Sequence, residues 1–148
     1  MAKYTAASLV AAPVLTKTLW TIQANTSGLR RFRILDILTW VDGTPGDTAV
    51  RITIGRFTAA GTNSGLTLNP NDPADGVPSA TAGQLNTVEP TFGTASFFPI
   101  GYNQRSTVRW FAAPGEELVG PATNANGLAG NLAVGPTLST GCTVVIDE

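Results

Sequence analysis

The chain has 148 residues, a length typical of a single domain with a two-layer core. Its composition, 43% hydrophobic and 13% charged, excludes an intrinsically disordered protein, and its 16 glycines and 10 prolines lack the period of collagen and predict many turns. A net charge of −1 argues against a nucleic-acid partner, and the absence of histidine removes the commonest general base and metal ligand.

Residues 1–13 are small and weakly polar and end at Pro13, which disfavours helix in the residue before it. We predict an extended N-terminal arm that can touch a neighbouring molecule, with a frayed terminus as the alternative. The remainder, 14–148, is predicted to be one β-sandwich domain. No signal peptide or membrane-spanning segment is expected, because the apolar runs are short, and the chain is expected to stay in a cytoplasm.

Apolar and polar residues alternate along much of the domain, and this period of two predicts β-strands with unlike faces. The first strand is predicted at 14–24. The next, 30–42, is apolar on both faces, so it is either covered on both sides or bent to serve two sheets. Asp36 interrupts one of these faces, and we therefore expect a bend there or a buried partner such as an arginine.

A strand at 48–57 is predicted to form an antiparallel hairpin with 30–42. Later strands bring the count to about eight, which favours an all-β, single-domain antiparallel sandwich of the jelly-roll kind. The later strands are expected at 94–100, 105–111, 116–119, 127–134 and 141–147. The predicted core residues are Trp20, Phe32, Ile34, Leu38, Trp40, Ile52, Ile54, Val108, Trp110, Val144 and Ile146.

The segment 58–90 has four prolines, four glycines and few large apolar residues, so we predict a long loop. Structureless loops of this length usually serve binding or assembly. A helical turn is possible at Asp72 and Pro73. Asp72 and Asp75 offer oxygen ligands, but they lack the spacing of a calcium-binding EF-hand loop, so solvated loop charge is favoured over a metal site.

The sequence contains no recognisable set of catalytic residues. Glu116 and Glu117 are adjacent and would point to opposite faces of a strand, so they make no acid–base pair. Cys142, the single cysteine, lies in an apolar strand and is expected to be a small buried hydrophobe. We therefore predict no enzyme activity, no cofactor and no required metal.

Basic residues supply the candidate interface. Arg105 and Arg109 share one strand face near aromatic residues, which fits a contact patch, although cross-strand pairing with an acidic residue is the favoured interpretation. Arg30 and Arg31 begin a small basic cluster that suits an acidic protein surface. The candidate interface residues are Lys3, Tyr4, Leu9, Val10, Arg30, Arg31, Leu66, Leu68, Asp72, Asp75, Arg105 and Arg109.

Several segments together carry a family resemblance. They are 1–5 (MAKYT), 58–62 (TAAGT), 87–91 (TVEPT), 103–110 (NQRSTVRW), 113–115 (APG) and 121–123 (PAT). These segments resemble small proteins encoded among the structural genes of tailed bacteriophages, some of which are capsid decoration, or cement, proteins.

The resemblance implies a β-sandwich on the outer surface of the virion capsid, made in the cytoplasm of a host bacterium. Its implied partners are the major capsid protein and further copies of itself in a homotrimer, with no nucleic acid or membrane. A tail or head-fibre component is an alternative within the same resemblance, and no binding residue is carried over from it.

A β-sandwich module that binds a sugar or another small ligand is the alternative from a different class. Such a module would need Trp20, Trp40 and Trp110 to lie exposed in a row. Alternation instead places Trp20 and Trp40 on the apolar faces of their strands, which counts against it.

Overall fold

The computed structural model describes residues 1–11, 13, 16–26, 28–135 and 138–148. These residues form twelve β-strands and no helix. In chain order the strands are β1 (Lys3–Val10), β2 (Thr18–Ala24), β3 (Arg33–Val41), β4 (Ala49–Ala59), β5 (Thr62–Leu66), β6 (Asn69–Pro70), β7 (Ala80–Val88), β8 (Thr91–Asn103), β9 (Val108–Phe111), β10 (Leu118–Val119), β11 (Gly127–Val134) and β12 (Thr140–Asp147).

The strands form two six-stranded antiparallel sheets. Sheet A has the order β10-β3-β12-β1-β6, with β9 also paired to β3, and sheet B has the order β5-β7-β2-β11-β4-β8. The two sheets pack face to face around one main hydrophobic cluster, to which both contribute. The predicted all-β sandwich is therefore confirmed, while the jelly-roll pattern of connections stays a prediction.

The core lies between the inner faces of the two sheets. Trp20 and Ile54 come from sheet B, and Ile34, Val144 and Ile146 come from sheet A; all five are fully buried. Each such large apolar side chain contributes roughly 1.5–3 kcal/mol through the area that it removes from water. Of the predicted core, Phe32 and Ile52 are also fully buried, whereas Val108 and Trp110 are half-buried and pack against the cluster's edge.

The prediction that Leu38 and Trp40 lie in the core is wrong, because β3 contains a bulge. Val145 of β12 pairs with Asp36, but the next residue along β12 pairs with Ile34, so Leu35 is an extra residue. The extra residue reverses the alternation of side chains after it. Leu38 and Trp40 consequently point away from the core.

The predicted hairpin between 30–42 and 48–57 is also wrong. β3 belongs to sheet A and pairs with β12, β9 and β10, whereas β4 belongs to sheet B and pairs with β11 and β8. The connection 42–48 is long enough to span the roughly 10 Å between packed sheets. The two apolar strands therefore lie in opposite layers of the core instead of pairing with each other.

The predicted arm 1–13 is extended over Lys3–Val10, as expected, but this part forms β1 inside the sandwich and not an arm outside it. β1 pairs with β12 over eight consecutive residues, and on its other side it pairs with β6. Tyr4, Ala6, Ser8 and Val10 alternate towards the core and are buried. Two of these four residues, Ala6 and Ser8, are small and give little hydrophobic signal, so the alternation of a buried strand is not visible in the sequence. Residue 12 lies outside the described residues.

The predicted long loop 58–90 contains three strands, β5, β6 and β7. The alternation in β7 places the small side chains of Ala80 and Ala82 towards the core, and such residues give little hydrophobic signal. At Asp72 there is a turn and no helix, in which the Asp72 carboxylate accepts a hydrogen bond from Ala74 N at 2.9 Å. The strand predicted at 14–24 begins at Thr18 as β2, because Thr16 and Lys17 are not in a strand; 14 and 15 lie outside the described residues.

Candidate docking face

The outer face of sheet A begins with the outward residues of β1. Because Tyr4, Ala6, Ser8 and Val10 point inwards, the alternate positions, which include Lys3, Ala7 and Leu9, point away from the core. Leu9 is 48% exposed. Leu9 lies near the end of β1, beyond the two residues that pair with β6, and a large apolar side chain open to solvent there is the first sign of a contact surface.

Neighbouring strands extend this surface in rows across the sheet. One row runs from Leu9 to Gly141 and Trp40, and the next from Ala7 to Leu38 through the strand between them. The indole of Trp40 covers Gly141, where an added Cβ would meet the ring. Glycine at this position therefore lets the tryptophan lie flat on the outer face of the sheet.

A third row ends in an exposed aromatic ring on the edge strand β9. Phe111 pairs with Asp36, which pairs with Val145, and the Phe111 side chain is 66% exposed. The bulge adds Leu35 to the same region, and a depression of about 480 Å³ lies here, bordered among others by Leu35, Val145 and Phe111. We call the outward apolar side chains of sheet A, Leu9, Leu35, Leu38, Trp40, Phe111 and Val145, the docking face.

Two ion pairs lie beside the docking face. Arg109 Nε donates to both oxygens of Asp36, at 3.0 and 2.9 Å, which confirms the cross-strand pairing favoured for this arginine and the partner expected for Asp36. Arg33 Nε donates to Asp147 Oδ1 at 2.8 Å. These hydrogen bonds raise the pKa of both arginines, so the guanidinium groups stay charged and paired.

Three of the twelve predicted interface residues, Lys3, Leu9 and Arg109, lie on this outer surface of sheet A. Tyr4 and Val10 are buried in the core, so the prediction that they meet a partner is wrong. Both side chains are on the face of β1 that points inwards. The Tyr4 hydroxyl donates a hydrogen bond to Gly76 O at 3.0 Å. Burial is also the main cause that raises the pKa of Tyr4.

The other predicted interface residues lie elsewhere. Leu68 is buried in the core, so its prediction is also wrong: it packs inwards where the chain passes from β5 to β6. Arg30 and Arg31 are exposed ahead of β3, and Arg105 is exposed in the turn after β8. Of the remaining three, Leu66 is half-buried at the end of β5, and Asp72 and Asp75 belong to one turn after β6, beside β1 of sheet A. The structure thus does not bring the twelve residues together at one site.

Most of the docking face was missed at the level of sequence. The sequence pattern places Leu38 and Trp40 in the core and gives no separate signal for Leu35, Phe111 and Val145. The available signal was the strand 30–42, which is apolar on both faces although only one of them meets the core. The bulge that decides which residues face outwards has no such signal.

Chemically reactive groups are sparse in the described part of the chain. Burial raises the pKa of Cys142 to about 12, so its thiol is protonated at neutral pH and is a poor nucleophile. Hydrogen bonds from the backbone N–H groups of Glu117 and Gly115 lower the pKa of the Glu117 carboxyl. Among the described residues there is no group of three or more carboxylate or thiol side chains placed to hold a metal ion, and no helix that could span a membrane.

Comparison with known proteins gives no match: no family model, curated protein or solved structure is significantly similar to this chain.

Proposed function

We propose that the chain is a structural virion protein that decorates and stabilises the outer surface of a tailed-phage capsid through protein–protein contacts, without catalysis. The observation that carries this proposal is the docking face, a set of apolar side chains on the solvent side of sheet A. The resemblance of the six sequence segments to small structural proteins of tailed phages supports the same role.

The size of this surface suits a protein partner. Strands β1, β12, β3 and β9 lie side by side over roughly 19 Å, and the eight residues of β1 extend roughly 26 Å. The resulting plane of about 500 Å² is the larger part of the roughly 800 Å² that each partner contributes to a standard interface. The apolar side chains of the docking face share this plane with the outward side chains of Lys3, Thr143 and Arg109. Exposed apolar groups that cluster within a polar surround typically mark an interaction site.

The two ion pairs beside the docking face also favour docking. Asp36 and Arg109 neutralise each other, as do Arg33 and Asp147, so a partner that covers them does not bury an unpaired charge. We infer that the partner is the major capsid protein and that its contact surface is apolar. We further propose that three copies assemble, because several modest contacts made at once on a shell bind far more tightly than one.

The test is binding to empty capsid shells of the encoding phage that lack this protein. Leu9→Asp and Phe111→Asp each place a carboxylate on the docking face, and each should weaken cosedimentation with the shells by about tenfold or more, since the charge must be desolvated on binding. The matched control is Val88→Asp, because Val88 is similarly exposed, at 58%, but lies on sheet B.

Circular dichroism must first show that all three variants keep the β-fold. Loss of binding in the two docking-face variants, with normal binding of Val88→Asp, supports the proposal. Unchanged binding of Leu9→Asp and Phe111→Asp contradicts docking through sheet A. A parent protein that never binds the shells contradicts the decoration role itself.

A further inference from the structure

A groove of about 760 Å³ lies beside the first half of β7, on the side of the molecule away from the docking face. Its polar side chains include Thr21 and Gln23 from β2, Thr81 from β7 and Asn63 from β5, and Val77 is among its apolar ones. The function proposed above makes no use of this groove.

The polar floor of the groove follows from strand alternation. Trp20 and Ile22 point into the core, so Thr21 and Gln23 point to the outer face of sheet B. Across the strand pair, Gln23 lies opposite Thr81, and Thr21 lies opposite Gly83. These pairings bring hydroxyl and amide groups together on one small area of the sheet.

Gly83 makes room for a further amide in this area. The side chain of Asn63 occupies the space that a Cβ at Gly83 would need, so Asn63 lies over the position paired with Thr21. A larger residue at 83 would push this amide away. Glycine here therefore brings a third strand's polar group to the floor of the groove.

Two polar atoms of the floor have no hydrogen-bond partner among the residues that the structure describes. Thr21 is only 1% exposed, yet its Oγ1 has none, and Oε1 of Gln23, likewise removed from solvent, has none either. Buried polar groups in folded proteins are nearly always hydrogen-bonded, because leaving one unpaired is costly. Both atoms border the groove but are closed to solvent, so a molecule in the groove would complete their hydrogen bonds after a small movement of the side chains that cover them.

The lining of the groove defines the chemistry of that molecule. None of the described residues that border it is charged, which favours a neutral ligand. Hydroxyl and amide groups both donate and accept, and Leu66 and Val77 add apolar surface at the side. Val77 is 94% exposed, so this surface is open to a ligand. Sugars combine hydroxyl groups with apolar C–H faces, so we propose that this groove binds a neutral carbohydrate.

An extended peptide added as a further strand fits this place less well. Strand β5 pairs with β7 only as far as Ala82, which leaves the start of β7 as an edge. At this edge the backbone N–H groups of Ser79 and Ala80 already donate to the carboxylate of Glu148, at 2.9 and 2.5 Å. The donors that an added strand would need are therefore occupied.

The test is NMR titration of the ¹⁵N-labelled chain with N-acetylglucosamine, galactose and mannose, up to about 100 mM because single sugars bind weakly. At least one sugar should shift the amide signals of Thr21, Gln23 and Thr81. Thr21→Val keeps the shape of the side chain and removes the hydroxyl, and it should weaken binding about fivefold or more. The matched control is Thr53→Val, on strand β4 of the same sheet but outside the groove, which should bind as the parent does.

The same variant also tests the unpaired hydroxyl. If Thr21 Oγ1 has no partner in the fold, Thr21→Val should have the same melting temperature as the parent or a higher one, and a clearly lower value overturns the inference. Absence of shifts with all three sugars, as expected if only water fills the groove, overturns it as well. If the Thr21→Val variant binds the sugar as tightly as the parent does, the sugar binds elsewhere, and the inference is overturned. These outcomes do not depend on capsid binding, so they are separate from the test of the proposed function.

Discussion

Leu35 is the extra residue of the bulge in β3, and it decides which of its neighbours stabilise the core. Ile37 follows the bulge and points inwards, fully buried, whereas Leu38 points outwards and is half-buried. Ile37→Ala should therefore reduce the free energy of unfolding by about 2–5 kcal/mol, and Leu38→Ala by less than half as much. Chemical denaturation of the two variants checks this difference, and equal losses would mean that the bulge does not shift the alternation.

Cys142 and Tyr102 make stability depend on alkaline pH. Both lie beside Thr39 in the core, with the hydroxyl oxygens of Tyr102 and Thr39 2.9 Å apart. Burial raises the pKa of Cys142 from 9.0 to about 12, and that of Tyr102 from 10.0 to about 12. The unfolded chain therefore loses these protons at a lower pH than the folded one. The stability that the protonated groups contribute is complete below about pH 9 and is lost as the pH rises to about 12.

Urea unfolding at a series of pH values from about 8 to 11.5 measures this effect. Because other groups also titrate in this range, the informative comparison is with Cys142→Ala, which removes one of the two. The variant's free energy of unfolding should fall less steeply between about pH 9 and 11.5 than that of the parent. Parallel curves for the two proteins would contradict a buried, protonated thiol.

At the scale of elements, β1 is a structural strand of the sandwich. It pairs with β12 along its whole length and covers the core with alternate side chains, of which Ala6 is buried and Ala7 exposed. Ala6→Asp should unfold the protein, because it buries a carboxylate among apolar groups, whereas Ala7→Asp should be tolerated. Far-ultraviolet circular dichroism distinguishes the two outcomes. A folded Ala6→Asp variant would show that β1 is an accessory arm that can leave the sheet.

Strands with large apolar residues at every second position could be predicted from the sequence, and those built from small residues could not. The strand expected at 127–134 matches β11 exactly, and that at 141–147 differs from β12 by one residue. β1 and β7 were missed as strands because alanine, serine and glycine give a weak hydrophobic period. Pairing was mispredicted because the partner of β3 is β12, about a hundred residues later, and local turn signals say nothing about such a contact.

The candidate site, too, could be predicted from the sequence only in part. The partner of Asp36 was predictable in kind, since a carboxylate in an apolar strand needs a cation, and the structure supplies Arg109. The docking face was not predictable, because one extra residue at Leu35 reverses the direction of every later side chain in β3. The polar groove could not be predicted from the sequence, because it combines residues of β2, β5 and β7 that are up to about sixty positions apart.

At the scale of the whole molecule, the docking face and the groove differ in chemistry. The docking face on sheet A consists of apolar side chains such as Leu9, Trp40 and Phe111 beside paired charges, whereas the groove on sheet B has hydroxyl and amide groups around Thr21 and Gln23. Exposed apolar side chains also occur on sheet B outside the groove, at Leu85, Val88 and Phe97 among others. The core separates the two faces by the roughly 10 Å between packed sheets. A chain held on a shell through sheet A would therefore leave the groove on sheet B open to the surrounding solution.

This arrangement predicts that the two surfaces act independently. The double variant Leu9→Asp/Phe111→Asp should lose shell binding about tenfold or more and keep the sugar-induced shifts, because its changes lie on the far side of the core. Thr21→Val should do the reverse, with weaker sugar binding and normal cosedimentation with shells. Each variant thus serves as the folded control for the other. If either variant reduces both activities while circular dichroism and the melting temperature stay those of the parent, the two faces are coupled, and the division of roles between sheet A and sheet B is wrong.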